Sequence, residues 1–247
     1  MMQHYVADLH VHSLLSPCAA VEMTPRNIIK HAVLAGIQII AITDHNACDN
    51  VYAAVQAAAN SGVTVIPGME LETKEEVHII VLFDSIKKME QWNAFIQPFR
   101  SGQMNDETRF GAQYVVDADD ELVRVKPELL LTAMSIGVAA ASREAAALGG
   151  VCIASHVDRP VYSLISQLGL IPADASLAAV EVSRRMKPEE APVLLPAIGR
   201  LPVVTASDAH TIRDLLIGPR TVFCLEQPTL AEIAMALAGQ GSRKFMA

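Results

Sequence analysis

The chain has 247 residues, 51% of them hydrophobic, with 27 acidic and 19 basic side chains and a formal net charge of −8. That length and apolar content suffice for one large core, so two domains are not required. The acidic balance excludes a broad basic surface for non-specific grip on duplex nucleic acid, but bound cations would still let a small anionic substrate in.

Cys18, Cys48, Cys152 and Cys224 show neither close pairing nor C-x-x-C spacing, which predicts a reduced, cytoplasmic chain without disulfides or a zinc finger. No basic region followed by an apolar core opens the sequence, and no apolar run approaches ~18 residues. A soluble, unprocessed protein that does not enter the membrane is expected.

The first predicted strand begins near Tyr5 and closes on Asp8-Leu9-His10-Val11-His12-Ser13. Side chains alternate along a strand, so Asp8, His10 and His12 should share a face, with Asp8 placed to fix the tautomers of two metal-binding imidazoles. Thr24-Pro25 then caps a helix carrying Ile28, Ile29, Ala32 and Val33, and Gly36 ends it. Ile37 to Thr43 reads as a buried strand delivering Thr43-Asp44-His45-Asn46. Asp49 is placed to cap a helix through Ala59, Gly62 stops it, and the strand from Val63 ends on Glu70.

Val77 to Phe83 is a further apolar run, but its histidine, His78, stands at the start rather than the end. From Asp84 to about Gly149 the alternation lapses into an insertion with its own small packing. It holds a helix from Lys88 to Phe99, a hairpin of Gln113–Val116 and Leu122–Val125 around an acidic turn, and helices from Pro127 onward. Strands return at Gly150–His156, Ala179–Ser183 and Pro202–His210, with helices near Val161–Leu168 and Glu189–Ile198 and a last one at Thr229–Ala238. The pattern is a parallel β/α barrel of seven strands, distorted by the insertion, with polar groups at the carboxyl ends where such barrels build their sites.

His4 and His31 lie off this pattern and are assigned nothing. Any one of His45, Glu70, His78, His156, Asp208 or His210 would alone be as compatible with capping or packing as with ligation. Their repeated interruption of apolar strands at one end of a sheet requires a compensating partner, and a metal cluster supplies it.

The ordered set D-L-H-V-H-S, T-D-H-N, G-M-E, H-I-I, S-H-V-D-R and S-D-A-H resembles the PHP family, the polymerase and histidinol phosphatase domain, from Tyr5 to about Val222. The resemblance implies a distorted seven-stranded barrel with a trinuclear metal site and phosphoester hydrolysis of a small substrate, such as a nucleotide or nucleoside phosphate. By motif it puts His10, His12, Glu70 and Asp208 around one metal, with Glu70 bridging to a second held by His78 and His156. His45 and His210 serve a third. Two or three divalent ions of manganese, iron or zinc suit imidazole and carboxylate donors, and a metal-bridging water would attack in line.

Glu70 and Asp208 are thus the expected catalytic groups. Arg159 and Arg184 are candidates for phosphate oxygens and equally for surface salt bridges. Two other readings stand beside this one. An amidohydrolase-like enzyme also carries H-x-H and a late aspartate, and a non-catalytic metal-binding or polymerase-associated module needs no substrate. The family pattern implies an acidic or histidine ligand about five residues beyond His12, where this chain has Pro17. A weak third site or ligation by the neighbouring Cys18 are the alternatives, with Cys18 as a small buried residue equally open.

Overall fold

The computed structural model describes residues 1–247. Its strands are β1 (Gln3–Val11), β2 (Ile39–Ile42), β3 (Thr64–Glu72), β4 (His78–Leu82), β5 (Tyr114–Val116), β6 (Leu122–Val125), β7 (Val151–Ala154), β8 (Ala179–Val182), β9 (Val203–Thr205), β10 (Thr221–Leu225) and β11 (Lys244–Met246). Its helices are α1 (Pro25–Leu34), α2 (Val51–Ala57), α3 (Ile86–Ile96), α4 (Glu107–Phe110), α5 (Val138–Ala147), α6 (Leu164–Leu168), α7 (Ala191–Leu194), α8 (Ile212–Ile217) and α9 (Leu230–Leu237).

One nine-stranded sheet runs β11-β10-β1-β2-β3-β4-β7-β8-β9. It curls into a nearly closed barrel: beyond β9, Ala209 bridges in parallel to Val11 of β1, and His12 N–H donates to Ala209 O at 3.0 Å. The seven expected strands are therefore the seven that go round the barrel. β10 and β11, absent from the sequence reading, extend β1 on its outer edge as an antiparallel pair.

One expectation is corrected. The barrel is not wholly parallel: β4 runs antiparallel to both β3 and β7, with Glu72 opposite His78. Only five residues separate β3 from β4, too few for the crossover that a parallel return requires, so the two form a hairpin. The start of β4 consequently lies at the carboxyl ends of its neighbours, and His78, out of place by position, arrives beside Glu70.

Alternation along the strands divides the core. Ala7, Leu9, Ile39, Ala41, Ile66, Ile80, Leu82, Ile153, Ala179 and Val204 form an interior cluster joined by Leu230, Ile233 and Leu237 of α9. Ile40 and Ile42 of β2 point outward to Ile28, Ile29 and Ala32 of α1 and Val51 and Ala54 of α2. Ile79, Val81 and Phe83 face Met89, Trp92 and Ile96 of α3 and Val138, Ala141 and Ala145 of α5. Residues from the 84–149 segment thus share the main core and do not pack on their own. Its hairpin, β5 and β6, forms as expected, with Val115 lodged against Leu15, Ala47 and Leu130.

Thr24 caps α1 by accepting from Asn27 N–H. Asp49 does not cap α2; Asn50 holds that position, and Asp49 pairs with Lys126 at 3.0 Å and with Arg124. The stretch from Glu189 to Ile198 breaks into short turns around α7, which stops at Leu195, the residue that Pro196 keeps out of the helical region. No helix is long and apolar enough to cross a membrane.

The end of α5 sets the entry of β7. Gly149, at φ +77°, takes the left-handed position after Leu148, and Gly150 N–H donates to Ala145 O at 2.8 Å, the helix-terminating pattern that glycine favours. A Cβ on Gly150 would stand 2.7 Å from the Phe83 ring, 2.9 Å from Ala145 O and 3.0 Å from Leu82 O. Gly150→Ala should cost about 1–3 kcal/mol of stability by overpacking. Urea unfolding checks this, and an unchanged midpoint would contradict the packing described.

Candidate metal centre

The carboxyl ends of the barrel strands carry the predicted donors into one buried cluster. His10 and His12 come from β1 and the residue after it, and His45 follows β2, where a parallel bridge to Glu70 prolongs the β2–β3 pairing. His156 follows β7 and stands beside His78 because Ser155 N–H donates to His78 O at 3.1 Å. Asp208 and His210 follow β9. Asn46, His156 and Asp208 have positive φ angles of 50°, 30° and 50°. Non-glycine residues in that region cost free energy, and their gathering here marks a site for which backbone strain is tolerated.

Glu70 is the hub. Its oxygens lie 3.2 Å from His10 Nε2, 3.4 Å from His12 Nε2, 3.1 Å from His45 Nδ1, 3.1 Å from His78 Nδ1 and 3.3 Å from His156 Nε2. Asp208 Oδ1 lies 3.3 Å from His10 Nε2 and 3.4 Å from His12 Nε2. Donors bonded tetrahedrally to one cation at ~2.1 Å stand about 3.4 Å apart, so these separations suit groups sharing metal ions.

Ligand atoms converge in three sets: His10, His12 and Asp208; His45, Glu70 and His78; and His12, His45 and His210. Every one of the eight predicted donors is in the cluster, although His156 touches Glu70 without joining a set of three. Its Nδ1 is buried with no hydrogen-bond partner. Cys18 lines the same cavity but contributes to none of the sets.

The imidazoles are oriented from behind. His10 Nδ1 meets both oxygens of Glu181 at 3.1 Å, which directs its Nε2 into the cluster. His12 Nδ1 donates to Ser16 Oγ at 3.0 Å, and that hydroxyl donates to Asp44 at 2.7 Å. With both outer nitrogens engaged, His10 Nε2 and His12 Nε2 confront each other at 3.1 Å. Two bare lone pairs would repel there, so the nitrogens either carry protons directed to Glu70 and Asp208 or share a cation.

The role expected of Asp8 belongs to Glu181. A register shift in the β1–β2 ladder between Asp8 and Val11 breaks the strict alternation, and Asp8 instead accepts from Ser207 N–H at 3.0 Å. Burial raises the pKa of Asp8 to about 6.

The charge state of the metal-free cluster points the same way. Burial opposes ionisation of Glu70, but His78, His10 and His45 hold it well below the usual carboxylate range. Burial likewise opposes protonation of His10, yet Glu181, Glu70 and Asp208 raise it far above the ordinary imidazole value; His12 rises to about 9 against the same penalty through Asp208 and Glu70. His210 falls to about 4, through burial and then the charge of His12. The buried carboxylates of Glu181, Glu70 and Asp208 therefore recruit protons onto His10 and His12, positive charge that a divalent cation would replace.

The cluster opens into a cavity of about 310 Å³ lined also by Glu72, Leu131, Arg159 and Tyr162. Arg159 pairs with Asp208. Arg184 does not reach this cavity; it pairs with Asp214 at 2.9 Å and donates to Ser207 O. Glu72, Leu131 and Tyr162 escaped the sequence reading. Glu72 was detectable, standing two residues beyond Glu70 on the same strand face. Leu131 is brought in by Asn46, whose side-chain amide donates to Leu130 O and Thr132 O at 2.8 and 2.9 Å. The Tyr162 ring stacks on His78 with centroids 4.8 Å apart.

Glu181→Gln keeps the shape of the side chain but removes the charge behind His10. It should weaken divalent-metal binding about 10- to 100-fold with the fold retained. Competition against a chromogenic chelator reads the affinity, and unchanged binding would remove Glu181 from the orienting role.

The fold is similar to that of the lesion-specific endonuclease PfuEndoQ from Pyrococcus furiosus, with a TM-score of 0.75 at 19% identity, covering 99% of this chain and 58% of that one. An Endonuclease Q complex with a 27-mer duplex substrate, an abasic lesion at its active site, aligns with a TM-score of 0.71 at 20% identity over 98% of this chain and 58% of that one. A Bifidobacterium adolescentis protein to which metal-dependent phosphoesterase activity has been attributed gives 0.57 at 21% identity, covering 83% and 87%. At such identities the likeness is one of fold. An uncharacterized protein of Methanocaldococcus jannaschii is 38% identical over 87 residues, 31% of this chain and 49% of that one, so the chain spans about half the length of the curated relative it matches. A family model, the PHP domain, matches residues 8–189, a span holding His10, His12, His45, Glu70, His78 and His156, and the chain belongs to that family.

Proposed function

We propose that the chain is a metal-dependent phosphoesterase that hydrolyses a small phosphorylated molecule, in kind a nucleotide or nucleoside phosphate, by attack of water at phosphorus. The observation that carries this reading is Glu70, a buried carboxylate with five imidazoles within 3.1–3.4 Å of its oxygens. His10, His12 and Asp208 would hold one cation, and Glu70, with His78 and His156, a second. His45 and His210 serve a third. Divalent manganese, iron or zinc bound there would supply positive charge to phosphate oxygens and bring the acidity of water toward neutrality.

The chain's own groups do the rest. Asp208 fixes Arg159 at the cavity wall, where its guanidinium is placed to donate to phosphate oxygens. Leu131 and Tyr162 give the cavity an apolar side for the organic part of the substrate. The third set, His12, His45 and His210, is made of imidazoles alone and would offer a dication only neutral donors.

A nucleic-acid phosphodiester is the second reading, favoured by the coverage of 99% of the chain by an endonuclease fold. The net charge of −8 weighs against it, because duplex binding draws its affinity largely from phosphate neutralisation.

Protein reconstituted separately with manganese, iron and zinc should release phosphate from a phosphomonoester in at least one form. Glu70→Gln should lower that activity by about 100-fold or more in protein that still folds, the loss of activity exceeding the loss of stability. An active, fully metallated Glu70→Gln protein would contradict the bridging role.

A further inference from the structure

Asn50 stands at the N-cap of α2, yet its side chain makes no capping bond. It is fully buried and bridges two parts of the protein that lie far apart in sequence. Its Oδ1 accepts from Val116 N–H at 3.0 Å, and its Nδ2 donates to Tyr114 O at 3.1 Å and to Ser13 Oγ at 3.0 Å. Tyr114 and Val116 belong to β5 of the hairpin, and their backbone carbonyl and N–H leave the Asn50 amide one orientation only. Asn50 therefore presents N–H, and not C=O, to Ser13.

That orientation propagates inward. Ser13 Oγ also receives Leu15 N–H at 3.2 Å, so both its lone pairs are taken and its proton goes to Asp44 Oδ2 at 2.6 Å. Asp44 Oδ1 accepts from Ser13 N–H at 2.8 Å and from Ser16 Oγ at 2.7 Å. With its proton committed, Ser16 Oγ accepts from His45 N–H at 3.1 Å, which leaves one lone pair for His12 Nδ1 at 3.0 Å. His12 must donate there. A neutral His12 then carries its lone pair on Nε2, the nitrogen that faces Glu70 and Asp208. Ser13, Ser16, Asp44, Asn50 and His12 are all fully buried, so the direction of each bond is set by its neighbours in the series rather than by bulk water.

We propose that the β5–β6 hairpin is the outer end of the metal centre: Asn50 is a positioning residue that acts through Ser13, Asp44 and Ser16 to hold His12 as the tautomer whose Nε2 binds a cation. The proposal rests on the metal-binding part of the functional reading and is independent of the substrate. It gives the 84–149 segment a part in the site beyond the one residue, Leu131, that it lends to the cavity wall.

The test uses the whole chain, wild type and variants, with zinc as the probe. Nitrogen-15 NMR of the zinc-loaded wild type should show His12 protonated at Nδ1 and coordinated through Nε2; the opposite assignment overturns the proposal. Asp44→Asn places a donor among donors, and its amide, turned toward Ser16, forces that hydroxyl onto His12 Nδ1 and reverses the tautomer. Zinc affinity, read by competition against a chromogenic chelator, should then fall about 10- to 100-fold. Asn50→Ala and Ser13→Ala should each lower it by about threefold to tenfold, and the double variant by no more than the larger single loss, because both break one series. Val115→Ala loosens the same hairpin from its apolar side, against Leu15, Ala47 and Leu130, and should leave the affinity within about twofold. Unchanged affinity in Asn50→Ala and Ser13→Ala, additive losses in the double variant, or an equal loss in Val115→Ala overturns the proposal. Should Asn50→Ala not fold, Ser13→Ala against Val115→Ala carries the same comparison. If the wild type binds no zinc, the metal-binding reading fails by itself. Solvent exchange of the His12 Nδ1 proton in the metal-free protein then decides the series: faster exchange in Ser13→Ala than in Val115→Ala supports it, and equal exchange overturns it.

Discussion

Five imidazoles and one carboxylate, all buried, meet at Glu70. Burying an unpaired carboxylate costs several kcal/mol, and crowding protonated imidazoles together is unfavourable for the same reason. In the metal-free chain the conflict is met by loading protons onto His10 and His12 while His45 is kept neutral, by burial and by the charges of its neighbours. Divalent cations resolve it more completely, because they satisfy both the carboxylates and the imidazole lone pairs. The barrel can gather these groups because its walls are dry and rigid and because Glu181 and the Ser16–Asp44 pair hold the histidines from outside.

Two departures from a regular parallel barrel make the gathering possible. The β3–β4 hairpin reverses one strand, so that a residue at its start reaches the end of the barrel where the other donors lie. The irregularity in β1 turns Asp8 toward Ser207 and leaves His10 to Glu181. Each is local in the chain, and the apolar interior continues past both.

The seven barrel strands were legible because each is a short apolar run ended by polar groups, and the eight candidate donors were legible because they stand at the borders of those runs, seven at the carboxyl end and His78 at the start. The direction of β4 was not, since an apolar run reads identically in either orientation and only the five-residue connection after Glu72 excludes a crossover. Glu181 stood in plain view within Ala179–Val182, but a carboxylate inside an apolar strand does not name its partner. Arg159 and Arg184, alike in sequence, part company in space because one follows β7 into the metal cavity and the other turns outward beyond β8. β10 and β11 lack the strand-end donors that drew attention to the rest. Cys18 lines the cavity, and the imidazoles of His12, His45 and His210 converge without its thiol.

The central claim is that Glu70 sits between two metal ions. The most direct measurement is anomalous diffraction from crystals of the reconstituted protein at the absorption edge of the added metal. The account predicts at least two anomalous peaks, one among His10, His12 and Asp208 and one beside His78, each in contact with an oxygen of Glu70. Ordered crystals with no peak at the cluster, or with peaks that leave Glu70 without a metal neighbour, would contradict it.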